Sequence, residues 1–177
     1  MKLDIGCGSR KQGDVGIDID SKSDADVIAD AHYIPFREES FDDVNASAVL
    51  EHVIDPDKVL CEVSRICKNY AHLKILVPAS SRMLTNFLFY IVTFQAKEAY
   101  HVYICNKTSE HKWQFSVGAL VNLLKSRGFQ TLTVESKPPI YYGDIQNNPF
   151  LRLLQLIHHK YPIYKPHIVV EGIKITH

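Results

Sequence analysis

A chain of 177 residues, 46% hydrophobic and 23% charged, fits one domain with a sizeable core and leaves little room for a second. Its 20 basic and 20 acidic residues cancel, so it has no excess of positive charge with which to neutralise many phosphates, and dedicated nucleic-acid binding is not expected. Cys7, Cys61, Cys67 and Cys105 show no CxxC spacing and form no short cysteine–histidine cluster, so no metal site is expected and the thiols read as reduced, apolar groups of a cytoplasmic protein.

Met1 to Asp4 lead straight into a glycine motif, and no signal peptide is expected. Residues 3–5 read as a short buried strand that stops at Gly6, with further strands over 15–19 and 26–29. The polar turn Arg37-Glu38-Glu39-Ser40 precedes a fourth strand over 41–46. Asp55 is a good N-cap and Pro56 suits the first helical position, where its missing N–H costs nothing. Val59, Leu60, Val63, Ile66 and Cys67 recur at helical spacing, and Lys68 and Asn69 close that helix before a fifth strand over 72–77. The longest apolar stretch, residues 83–94, is well short of the roughly 20 residues needed to span a bilayer, and Thr85 and Asn86 interrupt it. A later helix opens at Ser116, with Phe115 able to staple against Leu120; Leu120, Val121, Leu123 and Leu124 give its buried side and Gly128 follows its end. Residues 129–135 alternate like a strand, and 168–175 form the last, the two able to make an antiparallel edge. Strands alternating with helices predict a single α/β domain over 1–177, built on a doubly wound, mainly parallel sheet.

The most informative segment is Leu3-Asp4-Ile5-Gly6-Cys7-Gly8, followed by Val15-Gly16-Ile17-Asp18-Ile19-Asp20. Glycine at the end of a first strand lets the backbone turn sharply and approach a ligand, and an acid ending the next strand can accept both hydroxyls of a ribose. The third glycine of GxGxxG is absent, and Asp18 arrives sooner than the roughly 20-residue interval of a dinucleotide fingerprint, which counts against NAD.

With these strands and loops the chain resembles the class I S-adenosylmethionine-dependent methyltransferases. Asp30-Ala31, Ile34-Pro35-Phe36, Ser40-Phe41-Asp42 and Leu50-Glu51-His52 follow in the order and approximate spacing of the small-molecule branch, over about the first 78 residues. The resemblance implies a seven-stranded Rossmann-like sheet and S-adenosyl-L-methionine as cofactor. It implies that Asp4, Gly6, Cys7 and Gly8 line the methionine and ribose part, that Asp18 holds the ribose hydroxyls and that Ile19 lies against the adenine. Asp30 would accept the adenine amino group with Ala31 beside it, and Ser47 would lie near the methionine end. Each carboxylate has an alternative reading as a loop cap or turn residue. The connections 9–14 and 21–25 are shorter than the roughly ten to twelve residues of an ordinary parallel crossover, so the first helices are shortened or missing and one face of the sheet is thinly covered. The C-terminal segment, residues 83–94 or a second subunit of a homodimer would cover it.

The segment 79–116 leaves the fifth strand at its carboxyl end, where open α/β sheets bind ligands, and is read as the substrate wall. It carries Phe87, Phe89, Tyr90, Phe94, Tyr100, Tyr103, Trp113 and Phe115, which fill the thin face or line an apolar pocket; peripheral contact with a membrane surface is the lesser alternative. A hydroxyl or ammonium acceptor needs a base, and His52 is the first candidate and His111 the second, each with a structural role as its alternative. Residues 150–164 read as a packing helix with a solvated rim, contact with an anionic partner or phosphorylated substrate being the lesser alternative. The expected function is methylation of a small molecule, and the alternative is a non-catalytic partner subunit that binds the same cofactor.

Overall fold

The computed structural model describes residues 1–78, 111–137 and 167–175. The expectations for residues 83–94, for the aromatic residues between Phe87 and Tyr103 and for 150–164 lie outside these. Among the described residues a seven-stranded sheet runs in the order β3-β2-β1-β4-β5-β7-β6. Its strands are β1 (Lys2–Ile5), β2 (Val15–Asp18), β3 (Val27–Ile28), β4 (Phe41–Ser47), β5 (Cys67–Pro78), β6 (Phe129–Lys137) and β7 (His167–Lys174). β1 to β5 pair in parallel, and β7 pairs antiparallel with both β5 and β6. This is the mainly parallel, Rossmann-like architecture expected, with reduced N-terminal helices.

Burial explains the strand order. Leu3 and Ile5 of β1, Val44 and Ala46 of β4 and Leu73, Ile75 and Val77 of β5 are all buried, as the centre of a parallel sheet requires. The antiparallel pairing of the last two strands holds, but β7 is interior and β6 alone forms the edge on that side, opposite β3. Three consecutive buried residues, Ile168, Val169 and Val170, need cover on both faces of β7, whereas β6 leaves Leu132 and Val134 exposed.

Helix α1 (Pro56–Ile66) begins as its caps dictate: the Asp55 carboxylate accepts from the backbone N–H groups of Asp57 and Lys58, and Pro56, Val59, Leu60, Val63 and Ile66 face the core. The helix stops one residue earlier than its apolar period suggests. Cys67 is extended and pairs with Phe41 in the sheet, so Lys68 and Asn69 belong to β5 instead of closing α1. Cys67 is buried and fits either pattern, and the ladder decides. Helix α2 (Val117–Ser126) is capped by Ser116, whose hydroxyl accepts from the Ala119 N–H, and buries Leu120 and Leu124. Gly128 follows with a φ of 80°, the left-handed turn a glycine supplies at low cost. Arg127 reaches Asp57 in the first turn of α1, its Nε donating to Oδ1 at 2.8 Å, which ties the two helices together. No helix among the described residues is long and apolar enough to cross a membrane.

The connections β1–β2 and β2–β3 contain no helix. Without one, their backbone N–H groups need other acceptors, and aspartates supply them. Asp4 takes the N–H of Gln12 at 2.7 Å and Asp18 that of Gly8 at 2.8 Å, while Asp14 and Asp26 of the connections accept those of the strand residues Lys2 and Gly16, each at 2.7 Å. The thin face is covered in part by an unexpected group. The Lys11 stem lies over Gly16, where an added Cβ would stand 2.8 Å from Lys11 Cδ, and its ammonium reaches both Asp26 oxygens at 2.9 Å. A long cationic side chain can cover apolar surface with its methylenes while its head stays solvated.

Candidate functional site

β1 lies between β2 and β4, and the chain winds outward in opposite directions from this pair, so a crevice opens beyond their carboxyl ends. A cleft of about 330 Å³ occupies it. Gly6 lines it from the end of β1, Asp18 and Ile19 from the end of β2, and Ala29 to His32 from the segment after β3. Ala48, Val49, His52, Val53 and Ile54 line it from the segment after β4, and Lys112 closes one side.

The backbone at the mouth is held in unusual conformations. Gly6 has a φ of 65°, and a Cβ there would fall 2.4 Å from Val49 Cγ2, so only glycine fits between the turn and the opposite wall. Ala48, a residue with a Cβ, also adopts a positive φ of 57°, with its N–H donated to the Leu76 carbonyl at 2.9 Å. Such a conformation stores of order 1 kcal/mol or more and persists where neighbours enforce it.

Asp18 is oriented from both sides: its Oδ2 accepts from Gly8 N and its Oδ1 from Asp20 N, at 2.8 and 2.9 Å. Each oxygen retains a lone pair for a further donor. Ile19 beside it is 73% exposed, an apolar surface at the rim. The Asp30 Oδ1 accepts from the His32 backbone N–H at 2.9 Å and meets His32 Nδ1 at 2.6 Å. These contacts, the backbone bond foremost, hold the Asp30 carboxyl below the usual carboxylate range against the opposing effect of burial. The Asp55 N–H donates to His32 Nε2 at 3.1 Å, so the neutral ring carries its proton on Nδ1, facing Asp30. His32 therefore joins the cleft to the N-cap of α1.

Of the sequence-based candidates, Gly6, Asp18, Ile19, Asp30, Ala31 and His52 line the cleft, and Asp4, Cys7, Gly8, Ser47 and His111 do not. Asp4 is 3% exposed, and its second oxygen accepts from Asn45 Nδ2 at 2.6 Å, so it ties the glycine loop to β4 from behind. The Cys7 thiol is buried against Gly16, and burial, then Asp18 and Asp4, raise its pKa. Gly8 takes a φ of 55° with open space beside it. Ser47 ends β4 in register with Leu76.

The two candidate bases meet. The rings of His52 and His111 stand edge to face, with centroids 4.6 Å apart. Residues 111–113 are clamped onto the turn after β4, because the N–H groups of Lys112 and Trp113 donate to the Glu51 carbonyl at 2.7 and 3.1 Å and Trp113 Nε1 donates to the Val53 carbonyl at 3.0 Å. Sequence reasoning missed His32 and did not bring Lys112 and Glu51 together, although Glu51 stands in the Leu50-Glu51-His52 turn and Lys112 beside His111. An Asp-x-His turn at 30–32 is a local sign of the first; the other two depend on a long-range contact that no local pattern carries.

The methyltransferase-domain family profile matches residues 3–75, the stretch that supplies every lining residue of the cleft except Lys112. Over that stretch the chain is similar to the methyltransferase-domain family. No curated protein matches it. Solved structures share the fold of this chain at low identity. One comes from the complex between the Haloferax volcanii Trm112 methyltransferase activator and a methyltransferase, at 15% identity and a TM-score of 0.66 over 99% of this chain and 82% of that one. An S-adenosylmethionine-dependent methyltransferase from Thermotoga maritima gives 18% identity and 0.64 over 98% and 81%. Another from Mesorhizobium loti gives 16% and 0.63 over 98% and 90%.

Proposed function

We propose that the chain acts as one domain over residues 1–177 that binds S-adenosyl-L-methionine and transfers its methyl group to a small molecule. The observation that carries this reading is the opening of Asp18 and Asp30 into one cleft beside Gly6, at the switch point of the sheet. Two carboxylates and an apolar rim suit a ribose and an adenine. Asp18 takes the ribose hydroxyls, Ile19 lies along the adenine, and Asp30 accepts its amino group next to Ala31. Asp4, Cys7, Gly8 and Ser47 shape the methionine end from behind the cleft wall. The cofactor supplies an electrophilic methyl group on a sulfonium. The chain's task is alignment of the acceptor along the C–S axis and removal of its proton, for which His52 stands on the cleft with His111 against it. A reducing, cytoplasmic setting belongs to the same reading and is supported by the free thiols of Cys7, Cys61 and Cys67.

Calorimetric titration with S-adenosylmethionine and S-adenosylhomocysteine, with NAD as control, tests the cofactor. Binding of both sulfur nucleotides but not NAD is expected, with affinity lost in Asp18→Ala; failure of both to bind would sink the proposal. A second reading, a cofactor-binding partner that needs another protein for turnover, is favoured by the helix-free connections of β1 to β3 and by the fold shared with a chain solved beside an activator. It requires binding without formation of S-adenosylhomocysteine until that second protein is added.

A further inference from the structure

Glu51, His52 and His111 each turn one ligand atom into a common space, and these atoms all lie within 4.8 Å of one another. The arrangement is built. Glu51 is 1% exposed, His52 is fixed by its N–H bond to the Val49 carbonyl at 2.9 Å, and His111 is brought in by the clamp of Lys112 and Trp113 on the same turn. Edge-to-face packing alone would account for two rings. It does not account for a carboxylate oxygen converging on both.

Two imidazoles and one carboxylate are the donor set of the divalent transition metals, whereas magnesium and calcium favour all-oxygen shells. The carboxylate lies out of bulk water, where its attraction for a cation is less screened. We propose that Glu51, His52 and His111 form a mononuclear site for a divalent transition-metal cation of the zinc or ferrous class, bordering the cleft that His52 lines. Three protein ligands leave coordination positions for a small molecule. Its meaning for catalysis rests on the methyltransferase reading: an acceptor hydroxyl bound at such a position would release its proton to solvent near neutral pH, and His52 would then be a ligand instead of a base.

The full chain, stripped with a chelator and dialysed, should take up one Co2+ with visible absorption of nitrogen and oxygen ligation, and Zn2+ should displace it. Zn2+ but not Mg2+ should raise its Tm. Glu51→Gln and His111→Ala, checked for fold by circular dichroism, should each weaken Co2+ binding by more than the roughly 10–100-fold that outer-shell changes cost. Adenosylhomocysteine affinity, measured on the same metal-free proteins, should be unchanged in His111→Ala. A thiolate charge-transfer band, equal Co2+ affinity in the variants, or no Co2+ retention with no Zn2+ effect on Tm would each overturn the site. Adenosylhomocysteine binding without Co2+ binding removes the metal site and leaves the cofactor reading standing; the converse removes the cofactor reading alone.

Discussion

Asp4 and Asp18 are both strand carboxylates beside the same glycine loop, but they are committed to different partners. Both oxygens of Asp4 are occupied inside the protein, by Gln12 N and Asn45 Nδ2, so Asp4→Ala should cost about 1–3 kcal/mol for the buried Asn45 amide left unmet. Urea denaturation reads that loss. Asp18→Ala should instead move adenosylhomocysteine affinity further than it moves the urea midpoint, and the reverse order would contradict the division of labour. Gly6→Ala forces a Cβ to 2.4 Å from Val49 at a φ of 65°, and should cost about 1–3 kcal/mol, with the cofactor affinity falling as the wall shifts. Burial pushes the Cys67 thiol up to about 12 from its ordinary 9.0. The folded state therefore holds this proton more tightly than the unfolded chain, and its stabilising contribution is complete below pH 9.0 and is lost as the pH rises towards about 12. Denaturation midpoints measured across that range should fall less steeply in Cys67→Ala. Gly6 and Asp18 could be placed at the cleft because each sits at a strand end, where local pattern fixes position, and Asp30 and His52 because they lie in motifs of the resemblance. Glu51 and His111 were not legible as neighbours, since nothing local announces the bonds from Lys112 and Trp113 to the Glu51 carbonyl.

Helix α1 does more than cover the sheet. Near its end Arg65 grips Glu62 through Nε and Nη2, and donates as well to the carbonyls of Phe36 and Ile34, while Glu62 accepts the Ile34 N–H at 2.9 Å. The loop between β3 and β4 is thereby bolted to α1 by one planar cation. Arg65→Ala should cost about 1.5–3 kcal/mol, the range for bonds to charged groups, and Arg65→Lys should recover little of it, because an ammonium cannot span this fork. Equal stability of the lysine variant and the parent in urea would show that the fork is dispensable. The capping signals at Asp55 and Ser116 were readable because a cap depends on residues within one turn. The junction of α1 and β5 was not, since Cys67 is apolar enough for either and its pairing with Phe41 decides.

At the scale of the molecule, counting residues between strands was enough to foresee the missing helices, and alternation was enough to foresee a mainly parallel sheet. What covers the bare face could not be counted: Lys11 serves only because Gly16 leaves room for its stem. Nor could the position of β7, which depends on an antiparallel ladder to β5 between segments far apart in the chain, with Lys74 opposite Glu171 97 residues away. That insertion has a consequence for the growing chain. As the ribosome extends it, β1 to β5 and α1 can assemble in the order they emerge, but β6 touches the sheet only through a strand that is translated after it. Until His167–Lys174 clears the exit tunnel, β5 has no partner on that side among the described strands and offers bonds to any extended segment nearby, and a nascent chain stalled before that point is the form most in need of a chaperone.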